Sequence, residues 1–166
     1  DGQQTARFLA QPAWRARLLE TLPDHLDGID GIELDLLNLP NLAQRDVTQL
    51  VSAIDVAIRP ARKLGIFVPP STSNPSDLPG GDAISRLDVA PHVDRMRIMT
   101  LDYADDYQYP GPTIDPGWAV DAVRLASTAG RPLDISYPLY GNDFGPGGLR
   151  AVTYAAPIAT RAPILR

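Results

Sequence analysis

The sequence predicts an α/β fold built on a parallel sheet. Short apolar runs of strand character alternate with segments whose apolar residues fall at helical three- and four-residue steps, at roughly 35-residue intervals. The strand-like runs end in polar or special residues, Asp35, Ser71, Asp102 and Tyr140. Seventeen prolines and thirteen glycines in 166 residues punctuate the chain into many short elements.

The elements follow in order. Residues 4–22 read as one helix, with Phe8, Leu9, Trp14, Leu18 and Leu19 near helical spacing and Pro23 closing it. "GIDGIELDLL" (28–37) reads as a strand. Residues 41–64 read as an amphipathic helix through Leu42, Val47, Leu50, Val51, Ile54 and Ile58. Pro60 interrupts its last part, and Gly65 is expected to cap it before a short strand, "IFVPP". "STSNPSDLPGGD" is a polar loop, and "AISRLDVAPHV" a short helix or irregular connection. "DRMRIMTLDY" reads as a third strand and "ADDYQYPGPTID" as a loop rich in Tyr and Pro. "PGWAVDAVRLASTAG" reads as a helix with Pro116 in its first turn and Gly130 at its end. "RPLDISYPLYG" reads as a fourth strand and "RAVTYAA" as a fifth.

Composition narrows the function. The chain is long enough for one domain with a core. Its 44% hydrophobic and 21% charged residues are ordinary for a globular protein. A net charge of -5 argues against nucleic acid as a partner. No window is apolar enough for a membrane span. The absence of cysteine excludes disulfides and thiolate metal sites. The chain begins DGQQ, and the expectation is a processed or excised piece.

The segment "DGIELDLLNLP" (30–40) carries the chemistry. On a strand, alternate residues share a face, so Glu33, Asp35 and Leu37 line up, with Leu34 and Leu36 opposite. In parallel α/β folds the C-terminal strand ends form the site. Two uses are open to the Glu33–Asp35 pair. Arg97 shares a face with Met99 and Leu101, so it can point inward and neutralise the acids. Alternatively the acids contact a ligand. A divalent metal on Glu33, Asp35 and Asp102 is a third option, although nothing resembles a dedicated loop. Trp14 is expected in the core. His25 and His92 are expected near strand N-terminal ends, and Asp105 and Asp106 in solvent. "PGG" at 79–81 and "GPGG" at 145–148 read as turns without the context of a phosphate loop.

These residues resemble glycoside hydrolase family 18, the chitinase-like barrels, and most closely the bacterial branch acting on peptidoglycan and spore cortex. "DGIELDLLN" is similar to the fourth-strand signature DxxDxDxE, with Asp30, Glu33, Asp35 and Leu37 at its four positions. "VDRMRIMTLDY" resembles the sixth-strand pattern ending M-T-Y-D, "PGPTIDPGWAVDAV" the segment GPxAPxxWV, and "LDISYPLYG" the seventh-strand pattern. The resemblance implies a TIM-type (β/α)8 barrel of which the chain covers roughly strands four to seven. The rest of the barrel, or a partner chain, would then cover the sheet edges. It implies no cofactor and a secreted or cell-envelope setting.

The family's chemistry is substrate-assisted, so no second carboxylate nucleophile is needed. Its glutamic acid protonates the glycosidic oxygen, and its aspartates and a tyrosine handle the substrate's N-acetyl group. Here the acid position is Leu37 and the tyrosine position Leu101. Leucine cannot donate a proton, and a positioned acid contributes roughly 10²–10⁴-fold. Asp35, Met99, Asp102 and Tyr140 remain at family positions. The resemblance adds Asp30, Tyr103 and Trp118 as candidate sugar contacts, Trp118 either as a floor or as core, and Tyr107 and Tyr109 either at the mouth or packed with prolines. The implied function is a non-hydrolytic domain binding an N-acetylglucosamine-containing polysaccharide. The alternatives are an active hydrolase with an acid from elsewhere, and a scaffold for a protein partner.

Overall fold

A computed structural model describes residues 1–73, 77, 80–104, 110–145 and 148–153. Its strands are β1 (Gly31–Leu34), β2 (Lys63–Val68), β3 (Arg95–Ile98), β4 (Leu133–Ile135), β5 (Tyr140–Gly145) and β6 (Gly148–Thr153). Its helices are α1 (Gly2–Leu9), α2 (Pro12–Thr21), α3 (Gln44–Ile58), α4 (Arg86–Val89) and α5 (Pro116–Ser127). The first four strands form one parallel sheet in the order β1-β2-β3-β4, and β5 and β6 form an antiparallel hairpin. Among the described residues, β1 pairs only with β2, and β4 only with β3.

Strand order equals chain order, and right-handed crossovers then deliver the connecting helices to one face. Burial agrees. Leu64, Ile66, Val68, Met96 and Ile98 are at most 1% exposed and pack against Val47, Leu50, Val51, Ile54 and Ile58 of α3, Leu9 of α1, and Ala122 and Ala126 of α5. Each such Val, Leu, Ile or Met side chain contributes roughly 1.5–3 kcal/mol by leaving water. The residues between them carry the other face: Glu33, Gly65, Phe67, Arg95, Arg97 and Asp134.

Several boundaries differ from the sequence reading. The single helix expected over 4–22 is two helices. Pro12 has no N–H, and its ring would clash with the carbonyl four residues back, so α1 ends at Leu9 and Pro12 opens α2. The Phe8 and Trp14 rings stack across the break at 5.7 Å, and Trp14 packs partly buried against the core. The ladder of β1 stops at Leu34, so Asp35 and Leu37 lie just past it. Helix α3 stops before Pro60, as expected, but Gly65 is not its cap; it lies inside β2. Tyr140 does not end β4 but opens the hairpin, and the expected fifth strand is its antiparallel partner. Helix α5 starts as expected, with the Asp115 carboxylate accepting from the Trp118 backbone N–H at 2.8 Å.

The N-terminal strand ends are held by polar contacts. Asp94 accepts from the Leu64 N–H at 2.9 Å and lies 3.5 Å from both Arg59 and Lys63. His92 sits 3.4 Å from Asp55 on α3, and His25 bonds the Thr21 carbonyl at 2.9 Å. No helix among the described residues is long and apolar enough to cross a membrane.

Candidate functional site

The inner sheet face is crossed by an ion-pair ladder. Arg97 donates to Glu33 at 2.8 Å, although the two residues are two strands apart, and its other nitrogen lies 3.6 Å from Asp134. Arg95 holds the same Asp134 oxygen at 2.9 Å. The Arg97 guanidinium also sits 5.0 Å from the centre of the Phe67 ring. Gly65 makes the crossing possible. It stands opposite Glu33 in the register, and a Cβ there would lie 3.3 Å from Glu33 Cγ and Oε1. The other Glu33 oxygen is buried without a hydrogen-bond partner. A cavity of about 500 Å³ opens over Gly31, Glu33, Gly65, Arg95 and Arg97.

The second cluster lies at the C-terminal strand ends. Tyr140 donates its hydroxyl to the Asp102 carboxylate. Thr113 donates to the Tyr140 carbonyl at 3.3 Å, and Asn142 to the Ala104 carbonyl at 3.3 Å, so the hairpin is tied to the loop after β3. Thr100 is fully buried and donates to the Ser136 carbonyl at 2.6 Å, joining the ends of β3 and β4. Trp118 is 3% exposed. Its ring lies 5.2 Å from Tyr103, with the indole N–H donating to Asp77 at 2.7 Å. Asp77 in turn accepts from the Thr72 hydroxyl at 2.8 Å.

Not all candidate residues come together. Asp30 is at the opposite end of β1, its carbonyl accepting from the first residue of β2. Asp35 is exposed, without a hydrogen-bond or ion-pair partner among the described residues. Leu37 is 41% exposed beside it, and Met99 is buried at 8%. Glu33, Asp35 and Asp102 do not form a metal-binding group; none exists among the described residues. Tyr107, Tyr109, Asp105 and Asp106 lie outside the described residues.

The loops after β1, β2 and β3 each contain a non-glycine residue in the left-handed region: Asn38 (φ 55), Ser73 (φ 68) and Asp102 (φ 58). Such conformations cost of order 1–3 kcal/mol and gather at ligand-handling loops. Sequence alternation places Arg97 on the inner face but does not mark Gly65, Asp77 or Asp134. An isolated glycine within an apolar strand run was the available signal for Gly65.

No family model matches the chain, and no curated protein does. Solved structures do. A Bacillus subtilis protein assigned as a sporulation-specific glycosylase is similar over 96% of this chain and 55% of its own, at 21% identity and a TM-score of 0.84. The spore cortex-lytic enzyme SleL of Bacillus cereus is similar over 96% and 39%, at 16% identity and 0.81. A catalytic domain of Ostrinia furnacalis Group II chitinase is similar over 92% and 47%, at 21% identity and 0.68. That domain carries leucine in place of a glutamate and was crystallised with an N-acetylchitooligosaccharide. The chain spans about half the length of these proteins. At these identities the likeness shows the fold: a parallel α/β sheet with helices, similar to chitinase-like domains.

Proposed function

We propose that the chain is part of a chitinase-like (β/α)8 barrel that binds an N-acetylglucosamine-containing polysaccharide, of chitin or peptidoglycan type, without hydrolysing it. One observation carries the reading. Leu37 stands exposed just past the end of the β1 ladder, two residues from Asp35, a carboxylate without a partner among the described residues, on a fold similar to glycan-cleaving enzymes. A proton donor at that point is what the family chemistry needs, and leucine has no proton to give. The chitinase neighbour supports retained binding, because it holds an oligosaccharide while carrying a glutamate-to-leucine change.

The partial-barrel reading is supported by strand order, by helices on one face, and by outer edges of β1 and β4 that pair with nothing among the described residues. A secreted or cell-envelope location follows from the glycan class. The test is hydrolysis of chitin oligomers and peptidoglycan by the protein and by Leu37→Glu, with calorimetric binding of chitin oligomers to both. Binding without turnover in the unmodified protein is expected. Turnover by the unmodified protein defeats the non-hydrolytic reading. Absence of binding by both proteins favours a scaffold instead.

A further inference from the structure

Two glycines from different elements grip one peptide, the link between Asn38 and Leu39 in the turn after β1. A Cβ on Gly2 of α1 would overlap the Asn38 carbonyl and stand 3.1 Å from the Leu37 oxygen. A Cβ on Gly80 (φ 93) would stand 2.9 Å from the Leu39 nitrogen and 3.4 Å from the Asn38 carbonyl carbon. Between them Asn38 is held at φ 55, a conformation that strains a residue with a side chain. On one side of the gripped peptide Leu39 is buried at 3%, and on the other Leu37 is 41% exposed. We infer that Gly2 and Gly80 are positioning residues of the glycan site: clamping the 38–39 peptide, they fix where the turn after β1 presents residue 37. The inference deepens the glycan-binding reading and rests on it.

Three observations support the assignment. Both jaws are anchored apart from the turn they hold. The first turn of α1 is capped by Asp1, whose carboxylate accepts from the Gln3 N–H at 2.8 Å. The Gly80 turn is pressed on the end of β2, since a Cβ on Gly81 would overlap the Pro70 carbonyl. The Ser71 hydroxyl donates to the Asp82 carboxylate at 2.8 Å, and Gln44 of α3 donates to the Asp82 carbonyl at 3.1 Å. Second, the clamp falls on backbone atoms of residues 37–39, so it acts whatever side chain stands at 37. Third, the left-handed glycines Gly28 (φ 71) and Gly130 (φ 67) would have nothing within 4 Å of an added Cβ. Turning the chain therefore does not by itself require close approach, and at Gly80 the two coincide. Heavy atoms sit comfortably about 3.5–4.0 Å apart. A Cβ on Gly80 would thus drive the 38–39 peptide back by about 0.5 Å, the tolerance within which a binding site must hold its groups.

The test compares Gly80→Ala with Gly130→Ala. Alanine is strained at positive φ, so both variants are expected to lower Tm. In calorimetric titration with an N-acetylglucosamine pentamer, Gly80→Ala is expected to weaken Kd about tenfold and Gly130→Ala to leave it within about twofold. Hydrogen exchange read by mass spectrometry follows the clamp without ligand. Amides of residues 35–39 are expected to exchange about tenfold faster in Gly80→Ala and at the parent rate in Gly130→Ala. Gly80→Asn separates the causes, because asparagine tolerates the left-handed region but still carries a Cβ. It is expected to keep more of the Tm and lose as much affinity. Gly2→Ala, which meets the same peptide from α1, is also expected to weaken binding, although alanine is the better helix former. Parent-like affinity in Gly80→Ala and Gly80→Asn overturns the positioning role while leaving glycan binding intact, whatever exchange shows. Parent-like affinity in Gly2→Ala overturns the part given to Gly2. No binding by the unmodified protein overturns the glycan reading, and the purpose given to the clamp falls with it.

Discussion

The indole N–H of Trp118 donates to Asp77 at 2.7 Å, which pins the loop after β2 to the first turn of α5. Asp77 also holds Thr72, so one carboxylate organises two chain segments. Trp118→Phe keeps most of the ring but removes the donor. The expected cost is about 1.5–3 kcal/mol, the range for hydrogen bonds to charged groups. Urea unfolding monitored by circular dichroism measures it. A change below about 0.5 kcal/mol shows the bond to be dispensable.

Gly65→Val places branched carbons where Glu33 crosses β2. Overpacking of this kind costs about 1–3 kcal/mol. The diagnostic is context: in a Glu33→Ala background the same substitution is expected to cost clearly less, because the clash is with the Glu33 side chain. A double-mutant cycle on unfolding free energies reads the difference. Equal cost in both backgrounds assigns the strain to something other than Glu33.

Asp94 predicts a pH dependence. The Leu64 backbone N–H, with help from Arg59 and Lys63, holds its carboxyl below the usual carboxylate range, against the opposing effect of burial. A lowered folded-state value means the stabilisation is fully present above the unfolded value of about 3.9 and is lost as pH falls through the folded value. Asp94→Asn is therefore expected to be less stable than the parent at pH 7. The gap should narrow below about pH 4. Denaturant melts at pH 7 and pH 3 decide it, and a gap that widens in acid contradicts the assignment.

Ile135 at the end of β4, and Tyr137 and Leu139 in the segment that follows it, are 52%, 65% and 82% exposed. An apolar strand edge promotes association, and lysine there suppresses it. Ile135→Lys is expected to reduce concentration-dependent light scattering of the protein without lowering Tm. Unchanged scattering places any self-association elsewhere.

Element types and their order were legible because the switch between period 2 and period 3.6 survives in each βα unit. What failed has local causes. The apolar spacing from Phe8 to Trp14 continues across Pro12, so periodicity alone conceals the helix break. Leu36 and Leu37 extend the strand pattern beyond the ladder, since alternation marks facing and not hydrogen bonding. Tyr140 reads as the end of the fourth strand because nothing in "SYPLYG" reveals that the next pairing is antiparallel and with later residues. At the site, the inward face of Arg97 followed from alternation with Met99. Its partners on β4 and the gap at Gly65 depend on register between strands, which a single strand's pattern does not contain. The Trp118–Asp77 bond joins residues distant in the chain and leaves no local trace.

The sheet order β1-β2-β3-β4 also bears on how the chain reaches its fold. Among the described residues, each strand's neighbours in this sheet are the strands made immediately before or after it, so none of these three pairings waits for a distant part of the chain. On a ribosome, β2 can dock on β1 as soon as α3 and the turn behind it have emerged, and β3 on β2 in the same way. Assembly can then keep pace with synthesis, and at each stage the newest strand is the open edge that the next one meets.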